Sequence, residues 1–347
     1  MAFELTTAHL RRHAGARRLV RATFLPAWVC LGLVAFGHLA GLSLPVTIRY
    51  AVLLVTVVVL GLPHGAADHH SFARVFGRTL SVGLLARFCA AYLLLALLYA
   101  MGWFLAPTAA FCCFLGLTWF HWGQGDLYWL ETLADDAPPR MLAAATVIVR
   151  GGLPMLVPLL FFPERYAAVV RTVVSLFGAG LSGWLTPLFG TDVRLGLGLV
   201  FGTVTVLTLV LRAHTAGLGR LWGVDAGETA LLWVFFAVVP PVLAIGIYFA
   251  VWHSVRHITR LIALDDVSIA AIERGAIGYS VRRFVREALP ATVGALVLFG
   301  GLALAVPTTP VGVDEIAGLY LVLLAVLTLP HVVVVSILDW QQGVWGR

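Results

Sequence analysis

Four short stretches place ionisable side chains inside apolar parts of this chain. They are GLPHGAADHH (61–70), FHWGQGD (120–126), WHSVRH (252–257) and LPHVVVV (329–335). His253 and His257 are four residues apart, so on a helix they share one face with Cβ atoms about 5–6 Å apart. That pair can chelate one ion, because neutral imidazole is the commonest metal ligand in proteins. His64 and His121 would complete a four-histidine set. Imidazole suits iron, copper, zinc or nickel, so the spacing by itself does not choose the metal.

Acids accompany the histidines. Asp68 follows His64 by four residues, and Asp126 follows His121 by five. A ligating histidine normally gives its second N–H to a carboxylate, carbonyl or water, which fixes tautomer and ring angle. Asp68 and Asp126 are candidates for that role, for direct ligation, or for solvated loop positions. Arg256 is a natural partner for either. Gly61, Gly65, Gly123 and Gly125 flank the histidines, where small residues let backbones approach closely.

Simpler readings compete with this one. A single His–x–x–x–His is weak evidence, and a lone histidine at a membrane interface is usually a hydrogen-bonded interfacial residue. His9, His13, His38 and His214 read that way; His69 and His70 read either as interfacial or as neighbours of the metal. The joint pattern sets the other positions apart: ionisable groups inside a membrane are costly and usually have partners or a function.

The elements that must position these residues follow from composition. Of 347 residues, 61% are hydrophobic and 12% charged, against about 25% charged in a soluble domain. Ten apolar runs approach the ~20 residues that span a bilayer as a helix: 24–41, 46–63, 82–104, 108–125, 141–162, 168–189, 195–211, 229–251, 289–306 and 317–338. They lack the in/out alternation of a barrel strand. The fold class is therefore all-α: a polytopic integral membrane bundle of about ten helices, eight at fewest. Its parts are a basic N-terminal extension (1–22) and a single transmembrane catalytic domain (23–347), with no secretory signal of the usual kind.

All 23 basic residues are arginine. They concentrate before the first run, after the second and after the eighth, which predicts a cytoplasmic N-terminus and an even number of spans in the cell membrane. Arg212 and Arg220 fall on the wrong side of that scheme. The histidine motifs then close even-numbered spans running toward the cytoplasm, so His64, His121, His253, His257 and His331 sit at similar depth. Cys30, Cys89, Cys112 and Cys113 lie within apolar runs and read as packing. No nucleic-acid module is visible. The absence of lysine excludes a retinal Schiff base, and with it a rhodopsin.

PHGAADH (63–69), HWGQGD (121–126), WHSVRH (252–257) and LPH around His331, in that order, resemble the Brp/Blh family of membrane-bound β-carotene 15,15′-dioxygenases of bacteria and haloarchaea. The resemblance implies Fe(II) held by His64, His121, His253 and His257, with His331 outside the iron shell, beside the substrate or behind a ligand. It implies O₂-dependent cleavage of the central double bond of β-carotene to two retinals, a chromophore handed on to a microbial rhodopsin. A substrate dissolved in the bilayer favours a mostly apolar pocket open to lipid. Trp119, Phe120, Trp122, Tyr248, Phe249 and Trp252 are candidates to line it.

Two other classes share parts of the pattern. Membrane di-iron desaturases need His–x–x–His–His boxes, and none occurs here. A His/Asp-lined transporter or proton channel would use the same residues as a proton relay, but no internal repeat supports an inverted-repeat transporter.

Overall fold

In lipid every backbone N–H and C=O must be satisfied within the protein, so long apolar runs become helices. The computed structural model describes residues 14–134 and 138–345, and no strand occurs among them. Residues 1–13 of the predicted N-terminal extension, with His9 and His13, lie outside the described residues. Helix α1 (Ala14–Leu39) already contains the rest of that extension.

The other long elements are α2 (Val46–Val75), α3 (Val82–Leu105), α4 (Pro107–Leu133), α5 (Arg140–Phe161) and α6 (Pro163–Ser175). After them come α7 (Thr191–Ala216), α8 (Arg220–Val238), α9 (241–263), α10 (Asp266–Glu273), α11 (Ile277–Ala305) and α12 (Val313–Gln342). Their ends carry conventional signals. Ser81 caps α3 by accepting from the Leu84 N–H at 3.2 Å, prolines open α4 and α6, and Gly343 closes α12 in the left-handed region at φ 71°.

Among the described residues, eight helices, α1, α2, α3, α5, α7, α8, α11 and α12, are long and apolar enough to cross a membrane. The chain is a multi-pass helical membrane protein. The count of ten spans is not confirmed. Helix α4 is long enough but carries His121, Gln124, Asp126 and Glu131 in its buried second half; α9 carries His253, Arg256, His257 and Arg260, all buried.

Two segment assignments are corrected. The run 168–189 is no span: α6 ends at Ser175, Gly178 turns the chain at φ 69°, and a 3₁₀ turn covers Gly183–Phe189. The run 229–251 is two elements, because Pro240 and Pro241 end α8 and start α9. Both changes shift the parity of the middle of the chain. Arg212, which fell on the wrong side, sits buried at the same end as the histidine motifs: it donates to Thr146 Oγ1 at 2.8 Å and pairs with Asp225 at 2.7 Å.

Helices α5 and α12 are the centre of the bundle, with 67% and 56% of their most apolar windows buried, against 17% for α3, α7 and α11. The outer helices present leucine and valine outward, as Leu97, Leu199 and Val297 do at 57%, 74% and 69% exposure.

Candidate metal centre

Two of the histidine-bearing helices widen where their motifs begin. Residues Val57–Gly61 in α2 and Tyr248–Ser254 in α9 form π-helical turns, a local departure that recurs at functional sites. The two turns meet at Gly61, where an added Cβ would lie 3.2 Å from Phe249 Cδ1 and 3.0 Å from Val57 Cγ1. His64 follows the first wide turn by three residues, and His253 lies within the second, so both are displaced from regular helical positions.

Five imidazoles converge. His64 has its ring centroid 5.3 Å from His253, 5.6 Å from His257 and 4.8 Å from His331. His121 lies 4.7 Å from His253, 6.3 Å from His257 and 4.6 Å from His331, and His257 lies 5.0 Å from His331. None is more than 7% exposed. His253 Nε2 stands 3.1 Å from His121 Nε2. His64 donates from Nδ1 to the Gly61 carbonyl, so its Nε2 carries the lone pair.

Glycines admit this crowding. Gly65 lies against His331, whose Nδ1 would be 3.1 Å from a Cβ there, and Gly123 presses α4 onto the Val147 backbone of α5. Of the flanking glycines singled out in the sequence, Gly61, Gly65 and Gly123 thus stand at close approaches, while Gly125 keeps an ordinary contact of 3.7 Å with His253.

The two acids part company. Asp68 joins the cluster, its Oδ2 accepting from His331 Nδ1 at 2.7 Å. Asp126 faces the other way. It accepts from Trp252 Nε1 at 3.0 Å and pairs with Arg256 at 3.1 Å and Arg150 at 3.5 Å. Arg150 also holds Asp225 and Glu228, each at 2.9 Å, and Arg256 pairs with Glu228, which accepts from Trp28 Nε1 at 2.8 Å. With the Arg212–Asp225 pair, three arginines meet three carboxylates in a buried, charge-balanced lattice. Burying ions costs several kcal/mol each unless paired and hydrogen-bonded. The lattice grips α9 through Arg256, between His253 and His257 in the chain.

His69 and His70 stay outside the cluster, their rings 4.4 Å apart near Phe88. His38 contacts its own helix at the Val34 carbonyl, and His214 is exposed.

An apolar cavity of about 500 Å³ borders the cluster, touching His64, His121 and His331. Of the six aromatics expected to line it, Trp122 and Phe249 do. Trp119 donates instead to the Ile148 carbonyl, Phe120 stacks on Trp345, Trp252 lies under Arg256, and Tyr248 is in the core. Sequence reasoning missed Phe111, Phe114 and Leu115 on α4, and Ala317, Leu321 and Leu324 on α12. Phe114 and Leu324 stand seven residues, about two turns, before the histidine on their own helix, which is the signal that finds this face.

The donor set fits a transition metal. His121 Nδ1, His257 Nε2, His331 Nε2 and Asp68 Oδ1 are buried without hydrogen-bond partners, and orphaned buried polar atoms of this kind call for an ion or water. Two triads, His64–His121–His253 and Asp68–His257–His331, each bring their ligand atoms within 4.8 Å of one another.

The family model described as beta-carotene 15,15′-dioxygenase matches residues 55–339, a range that contains all five histidines. The chain belongs to the beta-carotene 15,15′-dioxygenase family. It is 48% identical over 339 residues to the probable beta-carotene 15,15′-dioxygenase Blh of Halobacterium salinarum, covering 95% of this chain and 96% of that one. It is 31% identical to the probable beta-carotene 15,15′-dioxygenase Brp of the same organism, over 90% of this chain and 89% of that one. A beta-carotene 15,15′-dioxygenase from an uncultured marine bacterium is 24% identical over 73% of this chain and 89% of its own length. No solved structure matches this member of the family.

Proposed function

We propose that this chain cleaves the 15,15′ double bond of β-carotene with O₂, giving two molecules of all-trans-retinal. The central C=C breaks and each carbon takes one atom of O₂ as a carbonyl oxygen. The observation that carries the reading is the cluster of buried imidazoles opening onto an apolar cavity in a multi-pass member of this family.

In this reading His64, His121, His253 and His257 hold Fe(II), whose bound form supplies the redox chemistry with O₂. The residues of the chain do the rest. The histidines are neutral donors, fixed by Gly61 on one side and by the Arg256 lattice on the other. Asp126 acts at a distance, through Arg256 and Trp252, as part of the mount for α9. Asp68 and His331, hydrogen-bonded to each other, lie where the cluster borders the cavity. The cavity walls orient the polyene along α4 and α12 and exclude water. β-Carotene reaches the site laterally from the bilayer of the cell membrane, and retinal leaves by the same phase toward a rhodopsin.

The test is incubation of purified protein with β-carotene, Fe(II) and O₂, followed by product analysis. Retinal as the sole product supports the reading; unchanged carotenoid with iron-loaded protein favours a transporter or another metallo-oxygenase.

A further inference from the structure

We infer that His331 is a fifth protein ligand of the metal centre and that Asp68 is the group that holds it in place. The inference rests on reading the histidine cluster as a metal centre, and it revises the expectation that His331 lies outside the ligand shell.

Position comes first. His331 is 4.8 Å from His64, 4.6 Å from His121 and 5.0 Å from His257 between ring centroids. The rings of the four motif histidines are 4.7 to 6.3 Å apart where they meet. His331 is therefore as central as any of them.

Polarity comes second. A carboxylate only accepts, so the 2.7 Å contact with Asp68 Oδ2 puts the proton on His331 Nδ1. The lone pair is then on Nε2, which is buried and has no hydrogen-bond partner. A lone pair in that state, facing other imidazoles and an apolar cavity, is stabilised by a cation. A role at the substrate would leave the nitrogen against hydrocarbon, where an unsatisfied polar atom costs free energy.

The seat of the ring agrees. Gly65, one turn before Asp68 on α2, leaves room for the ring, since any Cβ there would come 3.1 Å from His331 Nδ1. Among the described residues no guanidinium hydrogen-bonds Asp68, and its Oδ1 has no hydrogen-bond partner. Its charge is left to polarise the His331 ring and to offset that of the ion. Carboxylate partners of this kind typically change metal affinity 10–100-fold.

The experiment uses full-length protein in detergent, depleted of metal and titrated with Co(II) without O₂. Metal per chain, dissociation constant and the visible ligand-field bands are read for wild type, His331→Ala, His331→Gln, Asp68→Asn and Asp68→Glu. Far-UV circular dichroism and gel-filtration elution report folding. Wild type is expected to bind one cobalt with the weak bands of a five- or six-coordinate ion. His331→Ala, or His331→Gln if the smaller side chain disturbs folding, should bind at least about tenfold more weakly with the more intense bands of lower coordination. Asp68→Asn should weaken binding, and Asp68→Glu should restore part of it. Unchanged affinity and bands in folded His331 variants overturn the fifth ligand and leave the metal centre standing. Two cobalt ions per wild-type chain assign the two triads to separate ions and overturn it as well. No cobalt in wild type overturns the metal reading itself.

Discussion

His253 Nε2 lies 3.1 Å from His121 Nε2 where α9 crosses α4. Two imidazoles meet that way either by sharing one proton or by turning both lone pairs to one cation. The second arrangement makes a sharp prediction. His64→Ala, His121→Ala and His253→Ala should each insert normally yet lose retinal formation together with iron. Iron per polypeptide and retinal by chromatography check this; normal iron with normal turnover in any of the three removes that residue from the ligand set.

The cavity makes a prediction that is independent of metal. Gly294 borders it from α11, and a Cβ added there meets nothing within 4 Å. Gly294→Trp should therefore fill the cavity without displacing the helix. Iron content and thermal stability should stay at wild-type values while kcat/KM for β-carotene falls on the order of 10²-fold, the scale of a misplaced substrate. A variant with full turnover would mean the polyene does not pass that wall.

Close helix approach can be tested with a matched pair. At Gly123 a Cβ would run into the Val147 backbone, whose Cα would be 2.8 Å away. Gly123→Ala should cost about 1–3 kcal/mol or more, because backbone cannot yield as a side-chain tip can. Gly202, in the lipid-facing helix α7, has nothing within 4 Å of a new Cβ, so Gly202→Ala should be neutral or slightly stabilising. Thermal unfolding of both variants in one detergent separates the two outcomes.

At the end where α2, α9, α10 and α11 meet, Asp265 gathers Ser268 and Arg283, each at 2.6 Å, and Arg74 at 3.5 Å. Burial pushes its carboxyl up, but the hydrogen bonds from Ser268 and Arg283 and the charges of Arg74 and Arg283 outweigh that, and it stays below the ordinary value of 3.8. A depressed carboxylate contributes stability that is present above its unfolded value and lost as pH falls through the folded one. The melting temperature of wild type should therefore drop more steeply than that of Asp265→Asn as pH is taken below about 4. Parallel slopes would show that Asp265 adds nothing.

Much of the site was legible in the sequence because its chemistry is confined to a few polar residues in an apolar text. Five histidines near the ends of four runs, counted by parity, pointed to one level, and the structure brings all five together. The runs themselves misled where polarity and period disagreed. Helix α9 was hidden because the apolar stretch across Val239, Pro240 and Pro241 reads as continuous, although the two prolines break it. The run 168–189 looked like a span on composition alone, while Gly178 ends it. Asp126 resembled Asp68 in spacing, yet α4 turns it away from His121 toward Arg256. That difference of one residue in spacing, five rather than four, is a difference of one helical face. The π turns left no shared mark in the sequence: one is VVVLG and the other YFAVWHS.

The charge lattice around Arg150 bears on how the protein is made. Arg150 leaves the ribosome 75 residues ahead of Asp225, its acid on α8. For that interval the guanidinium on α5 has only Asp126 of the preceding helix α4, at 3.5 Å, as an acid in the lattice. Its shorter pairs, with Asp225 and Glu228 at 2.9 Å, wait for α8, so α4, α5 and α8 settle in the bilayer as a company rather than one at a time.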